Sequence, residues 1–435
     1  LRDWKSEGIH VQERNIIIIS LDEVRPDNLS CYGYKKINTP HIDHVASHGV
    51  KFETCITSSM FTPVAMSSAI TGKNPNKNGI RDPYCYLLSP SIAVALKKYG
   101  YTTAGFVGNG LLSKIHGFAE GFDYWNEPTK DTRWEMHAYP GSERGTAYGT
   151  TDAYAGNYWV EDFFDWLKEN YQKKFFMWGH LYETHEGSQF SLLKKGLIKE
   201  GELSEFSYKD AKIKMADEKL VGRMLETLTI FGISENTSLV IMSDHGTNLG
   251  EHPVDRIPWR EEVMMYPQHT TMYDEDIKVA LVIKGQGLPQ GKTVRGMVRT
   301  VDLIPTLLDL MSIPIKEYDF DGVSLLPVID KGEAHGMEAY AEDFFELRGK
   351  GALQSIRTDD FKYIRNLTLW TEEYYDLHKD PQEKNNLIKK IDRDTVIGLR
   401  KKLNAFLKTQ VPLEKGIVQE KEKINERLRR LGYIE

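Results

Sequence analysis

Cysteine is scarce: Cys31, Cys55 and Cys85 are the only three in 435 residues, an odd number without metal-like spacing, which excludes a disulfide framework and a zinc knuckle. No run of about 18 apolar residues occurs, so no membrane-spanning helix is expected. Basic residues are outnumbered, 56 Lys and Arg against 63 Asp and Glu, and the net charge of -7 argues against a nucleic-acid partner, which calls for a basic stripe. Internal repeats and low-complexity tracts are lacking too. The opening stretch LRDWKSEGIHVQERN has no apolar signal core, and a cytoplasmic location is the expectation. What is present, 40% hydrophobic and 27% charged residues in 49.9 kDa, suits a folded chain with a sizeable core. That length allows one large α/β domain with a smaller companion.

Residues 15–21, NIIIISL, form a continuous β-branched run, the pattern of a strand buried on both faces of a parallel sheet. It ends in Asp22-Glu23. Open α/β sheets hold ligands at the carboxyl ends of their strands, and two adjacent carboxylates there are either a solvated turn or one half of a cation site. A second strand, 238–242, runs into Ser243-Asp244-His245-Gly246, which pairs a carboxylate with an imidazole. A third, 175–179, leads into HLYETHEG with His180, Glu183 and His185, and 101–107 leads into Asn109 between two glycines. These histidines are structural or meet metal, anion or leaving group. Asn109 is a turn residue or a donor to substrate.

Residues 58–75, SSMFTPVAMSSAITGKNP, place a hydroxyl and a proline at a helix start. Thr62 is either the N-cap before Pro63 or a nucleophile beside backbone N–H groups able to seat a phosphate or sulfate. Helices are expected at 40–49, 89–98, 158–171, 208–231 and 301–311. Short strands follow at 339–342, 353–357 and 362–365, then charged helices at 392–407 and 418–431. The excursions 126–157 and 253–268 have the composition of substrate walls.

The joint order of LDEVRPDNLSCYGY, TGKNPNKNGIR, LKKYGYTTAGFVGN, SDHGTNLGEH, HTTMYDEDIKVALVIKG and YYDLHKDPQEKNNL resembles the sulfatase-like branch of the alkaline phosphatase superfamily, over almost the whole chain. The resemblance implies a large, doubly wound mixed β-sheet α/β domain, set at 1–330, and a small C-terminal α+β domain at 331–435. It implies hydrolysis of sulfate or phosphate esters through a covalent intermediate. Asp22, Glu23, Asp244 and His245 match the metal ligands. Thr62 falls where sulfatases carry the cysteine that becomes formylglycine, and His185 and His269 match positions that bind the transferred group or protonate the leaving group. Asn109, His180 and His252 are further candidates for substrate contact.

This chain departs from that pattern at Thr62-Pro63-Val64-Ala65-Met66. Threonine does not become formylglycine, and the maturation arginine is replaced by Met66. The lysine of the usual GKWH block is missing near 106–110. Branches with an unmodified Thr or Ser act on phosphoryl groups. The expectation is therefore a phosphate or phosphonate ester hydrolase with a Thr62 nucleophile that itself joins the ligands of one divalent cation, Mn²⁺ or Zn²⁺ favoured over Ca²⁺ or Mg²⁺. A sulfatase working without formylglycine, a phosphoryl-group transferase and a non-catalytic relative are the alternatives.

Overall fold

A computed structural model describes residues 15–128, 158–185, 205–252, 270–345, 351–409, 411, 418 and 420–430. His269 and nearly all of the two excursions, 126–157 and 253–268, lie outside the described residues. The large sheet contains β1 (Asn15–Leu21), β2 (Val50–Ile56), β3 (Thr102–Val107), β4 (Tyr124–Asn126), β5 (Phe175–Leu181), β6 (Thr237–Ser243), β7 (Lys278–Val279), β8 (Leu281–Lys284) and β9 (Lys292–Arg299). Its order is β4-β3-β5-β1-β6-β8-β2-β7, with β9 paired to β2.

β1 lies between β5 and β6, parallel to both, and every one of its residues is buried. Its isoleucines alternate between two cores because side chains on a strand alternate faces. Ile16 and Ile18 join Phe176, Trp178 and Val240 on one side; Ile17 and Ile19 join Met177, Leu239 and Ile241 on the other. Each buried isoleucine contributes about 1.5–3 kcal/mol, so this strand is the rigid axis of the sheet. β8 reverses direction against β6 and β2 reverses it again. The carboxyl ends of β1, β2, β3, β5 and β6 therefore reach the same edge.

The helix Thr62–Thr71, which follows β2, is buried along its whole length, and its Ser67, Ser68 and Thr71 hydroxyls are satisfied inside it by donating to the Val64, Val64 and Ser67 carbonyls. Gly72 ends it at φ 66°. The long helical stretch expected at 208–231 is instead two α-helices, Glu205–Ala216 and Arg223–Ile230, joined by the π-helical turn Asp217–Gly222. The Asp217 carboxylate accepts from the Ile42 and His41 amides, at 2.7 and 3.2 Å. Gly222 sits against the His41 ring, where a Cβ would come within 2.8 Å.

The second sheet is antiparallel, in the order β10 (Ala339–Asp343), β11 (Leu353–Arg357), β12 (Phe361–Asn366), β13 (Thr371–Asp376). The expected mixed α/β sheet with a small antiparallel companion is thus present. β4, β9 and β13 went unread in the sequence. The Glu342 amide donates to the Ser58 carbonyl at 2.9 Å, and the Glu342 carboxylate takes a two-pronged ion pair from buried Arg81, at 2.6 and 2.8 Å. The small sheet thereby holds the loop that leads into Thr62. The last helix, Lys421–Arg430, packs Ile424 and Leu428 into the large core, and Arg427 donates to the Gly110 carbonyl at 2.7 Å.

His116, buried near that helix, faces the Ser113 hydroxyl and the Pro83 carbonyl, each at 2.9 Å. Burial holds its pKa down to about 4. Imidazole in an unfolded chain titrates near 6.5, so the unfolded state binds the extra proton between these values. Stability is fully present above about pH 6.5 and declines as pH falls toward about 4, by roughly 3 kcal/mol for this group. Urea unfolding at pH 7 and pH 5 checks this. The loss on acidification should be smaller in His116→Gln than in the parent chain, and an equal loss contradicts the assignment.

Candidate active site at the strand ends

Asp22 follows β1 and is fully buried. Its Oδ2 accepts from Asn109 Nδ2 at 3.4 Å and from His180 Nε2 at 3.2 Å. The other His180 nitrogen faces the Ser20 hydroxyl at 2.9 Å, and burial lowers the pKa of this ring to about 4. A neutral imidazole with Nε2–H on Asp22 and Nδ1 accepting from Ser20 satisfies that network. Asn109, read as a turn residue or a substrate donor, accepts from the Leu111 amide through Oδ1 at 3.0 Å, as a turn residue does, while its Nδ2 and His180 Nε2, both candidates for substrate contact, face Asp22.

Glu23 has φ 58°, in the left-handed region. A non-glycine residue held there stores strain, and such strain clusters at functional sites. The twist brings the Glu23 amide onto Asp244 Oδ1 at 3.1 Å, beside the His245 amide at 2.7 Å. Asp244 Oδ1 is thus fixed by two backbone donors. Asp244 Oδ2 and Asp22 Oδ1 are buried and have no hydrogen-bond partner among the described residues.

His245 Nδ1 lies 2.8 Å from the Gly246 carbonyl. A carbonyl only accepts, so the proton is on Nδ1 and the Nε2 lone pair points into the cluster. Nε2 is 3.2 Å from Thr62 Oγ1, 3.5 Å from Asp244 Oδ2 and 3.7 Å from Asp22 Oδ1. The Glu23 carboxylate, fully buried, meets His185 Nε2 at 3.1 Å and Lys209 Nζ at 3.6 Å. Lys212 on the same helix as Lys209 donates to the His185 carbonyl, and the His185 ring stacks on Tyr182.

Thr62 itself is 1% exposed. It is the first helical residue, with Phe61 at the cap position, and its hydroxyl faces His245 rather than capping an amide. One expectation is corrected. The Val64 and Ala65 amides both donate to the Phe61 carbonyl at 3.0 Å, so the N–H groups just after Pro63 do not point outward as an anion seat. His252 is also elsewhere engaged, with Nδ1 on Glu275 at 2.5 Å and Nε2 on the Glu383 carbonyl at 3.0 Å. Both its nitrogens are occupied, which leaves none for substrate.

The donor set fits a cation. Asp22, Glu23 and His185, and likewise Asp22, Asp244 and His245, each offer ligand atoms within 4.8 Å of one another. Ligand bonds of about 2.1 Å around one ion place neighbouring donors about 3.0–3.4 Å apart, close to the separations found around His245. Burial, then the Asp244 and Glu23 charges, push the Asp22 carboxyl well above the usual carboxylate range, with Asn109 and Lys209 pulling it back. Two buried oxygens without donors, amid mutual repulsion, are what a divalent ion would relieve.

Arg25 braces the rim. It pairs with Asp27 at 2.6 Å, with Glu251 at 2.6 Å and with the Thr247 carbonyl at 3.2 Å, tying the turn after β1 to the loop after β6.

Comparison with known proteins decides the family. Residues 14–313 match the profile of the family described as Sulfatase. The chain belongs to the sulfatase family. Residues 264–409 further match the C-terminal region of N-sulphoglucosamine sulphohydrolase. Among relatives, an N-acetylglucosamine-6-O-sulfatase of Bacteroides thetaiotaomicron is 22% identical, covering 87% of this chain and 83% of that one. A ulvan-active sulfatase of Formosa agariphila is 27% identical, covering 90% and 81%. The phosphonate monoester hydrolase of Agrobacterium radiobacter shares the fold with a TM-score of 0.70 at 21% identity, covering 90% and 95%. This sulfatase-family chain is accordingly an ester hydrolase by family, as the motif order implied.

Lys209 and Lys212 were missed in the sequence. The signal existed: Lys209 stands four residues before Ile213 and seven before Ala216, all three buried, so a lysine occupies a core-facing position of an otherwise ordinary helix.

Proposed function

We propose that this chain hydrolyses phosphate or phosphonate esters through a covalent intermediate on Thr62, with one divalent cation, Mn²⁺ or Zn²⁺ in preference to Ca²⁺ or Mg²⁺, held by Asp22, Glu23, Asp244 and His245. The observation that carries the reading is Thr62 Oγ1 at 3.2 Å from His245 Nε2, whose ring lies beside the buried Asp22 and Asp244 carboxylates. A divalent ion bound there lowers the pKa of a neighbouring hydroxyl and offsets charge on the ester.

The protein's own groups account for the rest. Thr62 Oγ1 gives up its proton to solvent, which in turn restores the proton His185 donates, and forms a bond to phosphorus as the bond from phosphorus to the alcohol oxygen breaks. His185, anchored by Glu23, Tyr182 and Lys212, hands a proton to the departing oxygen, a contribution of about 10²- to 10⁴-fold. Water then cleaves the phosphothreonine, returning the Thr62 hydroxyl. His180 and Asn109 keep Asp22 aimed throughout.

A second reading, sulfuric ester hydrolysis by the unmodified threonine, is favoured by the names of the relatives. Rates on p-nitrophenyl sulfate, phosphate, bis-phosphate and phenylphosphonate with added Mn²⁺ separate the two. At least tenfold higher kcat/KM on a phosphorus ester is expected. Preference for the sulfate by that margin supports the second reading instead.

A further inference from the structure

With the Val64 and Ala65 amides turned back on Phe61, the charged group of an ester needs another donor. Lys209, whose Nζ lies 3.6 Å from Glu23, is a buried donor of the right charge beside the strand ends. It is 6% exposed, and its Nζ, buried, has no hydrogen-bond partner among the described residues. The Glu23 oxygen at 3.6 Å is too far for a hydrogen bond. An ammonium has three N–H groups and is expensive to desolvate, so a lysine left this way at the bottom of a helix face is either a plain counter-charge for Glu23 or a waiting ligand.

The neighbouring charges choose between these. If a divalent cation takes up the Glu23 and Asp22 carboxylates, the attraction of Lys209 to both is offset and it faces a second positive charge in a medium of low dielectric. An arriving tetrahedral oxyanion reverses that penalty, because it accepts from Nζ and neutralises both cations together. We propose that Lys209 grips a non-bridging oxygen of the ester's phosphoryl, phosphonyl or sulfuryl group, and thereby makes cation binding and oxyanion binding mutually cooperative. This rests on the cation site of the proposed function and adds to it a residue and a binding order: the site takes its cation weakly alone and firmly together with the anion. Cooperativity of this kind is reciprocal.

Calorimetric titration of the full chain with Mn²⁺, with and without inorganic phosphate or sulfate, tests it. In the parent chain either anion should tighten Mn²⁺ about tenfold or more. Lys209→Gln should bind Mn²⁺ alone several-fold more tightly than the parent, with the anion effect reduced to less than about twofold, and Lys209→Arg should restore most of the coupling. If Gln at this depth unfolds the chain, as thermal melting would report, Lys209→Met fills the same space without charge and gives the same readout. Parent-like coupling in the uncharged variants, or weaker Mn²⁺ binding by them, overturns the proposal and makes Lys209 a counter-charge. Absence of coupling in a parent chain that binds Mn²⁺ also overturns it while sparing the cation site. A parent chain that binds no Mn²⁺ removes both.

Discussion

Thr62→Ala is expected to lose ester hydrolysis by about 10³- to 10⁶-fold in kcat, while still binding Mn²⁺ and melting within a few degrees of the parent. The substitution deletes the hydroxyl that faces His245 and nothing that shapes the helix. Phe61 occupies the cap position, and the amides of Val64 and Ala65 are satisfied by the Phe61 carbonyl, so alanine as the first helical residue leaves those hydrogen bonds in place. Thr62→Ser keeps the oxygen and should retain measurable turnover. Single-turnover kinetics with a p-nitrophenyl ester, paired with Mn²⁺ titration, provides the comparison. Activity within tenfold of the parent in the alanine variant rules out the covalent route.

The second large effect is a reversal. Asp244→Asn keeps an oxygen for the Glu23 and His245 amides but removes one of three carboxylates packed together with no solvent. Since the Asp244 charge is the second cause of the upward shift at Asp22, after burial, its removal should raise the melting temperature in EDTA. In saturating Mn²⁺ the order should invert. A parent chain at 100 times its dissociation constant gains about 2.7 kcal/mol by mass action, whereas the variant, deprived of a charged ligand, gains little. Melting curves of both proteins with EDTA and with Mn²⁺ show whether the lines cross. Parallel shifts in the two proteins contradict a cation ligand at Asp244.

The fold was legible where its signals are local. The β-branched run of β1 and the strand-end pairs Asp22-Glu23 and Asp244-His245 announce a parallel sheet and its ligand edge through composition and position alone; Asp22, Asp244 and His245 form one donor group, with Thr62 facing His245, and Glu23 groups with Asp22 and His185. β9, with the sequence KTVRGMVR, and β13, with TEEYYD, were not, because edge strands carry charge on the side facing water and blur the alternation. The π-turn at Asp217–Gly222 depends on contacts with His41 and Ile42, far away in sequence. The same holds inside the site. That His180 and Asn109 serve Asp22, that His252 is spent on Glu275 and Glu383, and that Lys209 reaches Glu23 are facts of tertiary placement. No spacing along the chain encodes them.

Asn109 and His180 also show how a correct position can carry a different role. Both stand at strand ends on the ligand edge, as read from the sequence, yet Asn109 Nδ2 and His180 Nε2 face the Asp22 carboxylate, while Asn109 Oδ1 takes the Leu111 amide and His180 Nδ1 faces Ser20. Groups that orient a ligand are often as consequential as the ligand itself.

One measurement bears most directly on the shared site: an anomalous difference map from crystals grown with Mn²⁺. A single peak within about 2.5 Å of oxygens from Asp22, Glu23 and Asp244 and of His245 Nε2, with Thr62 Oγ1 turned toward it, is the expected result. A peak elsewhere, or a site in which Thr62 points away from those four residues, contradicts the account.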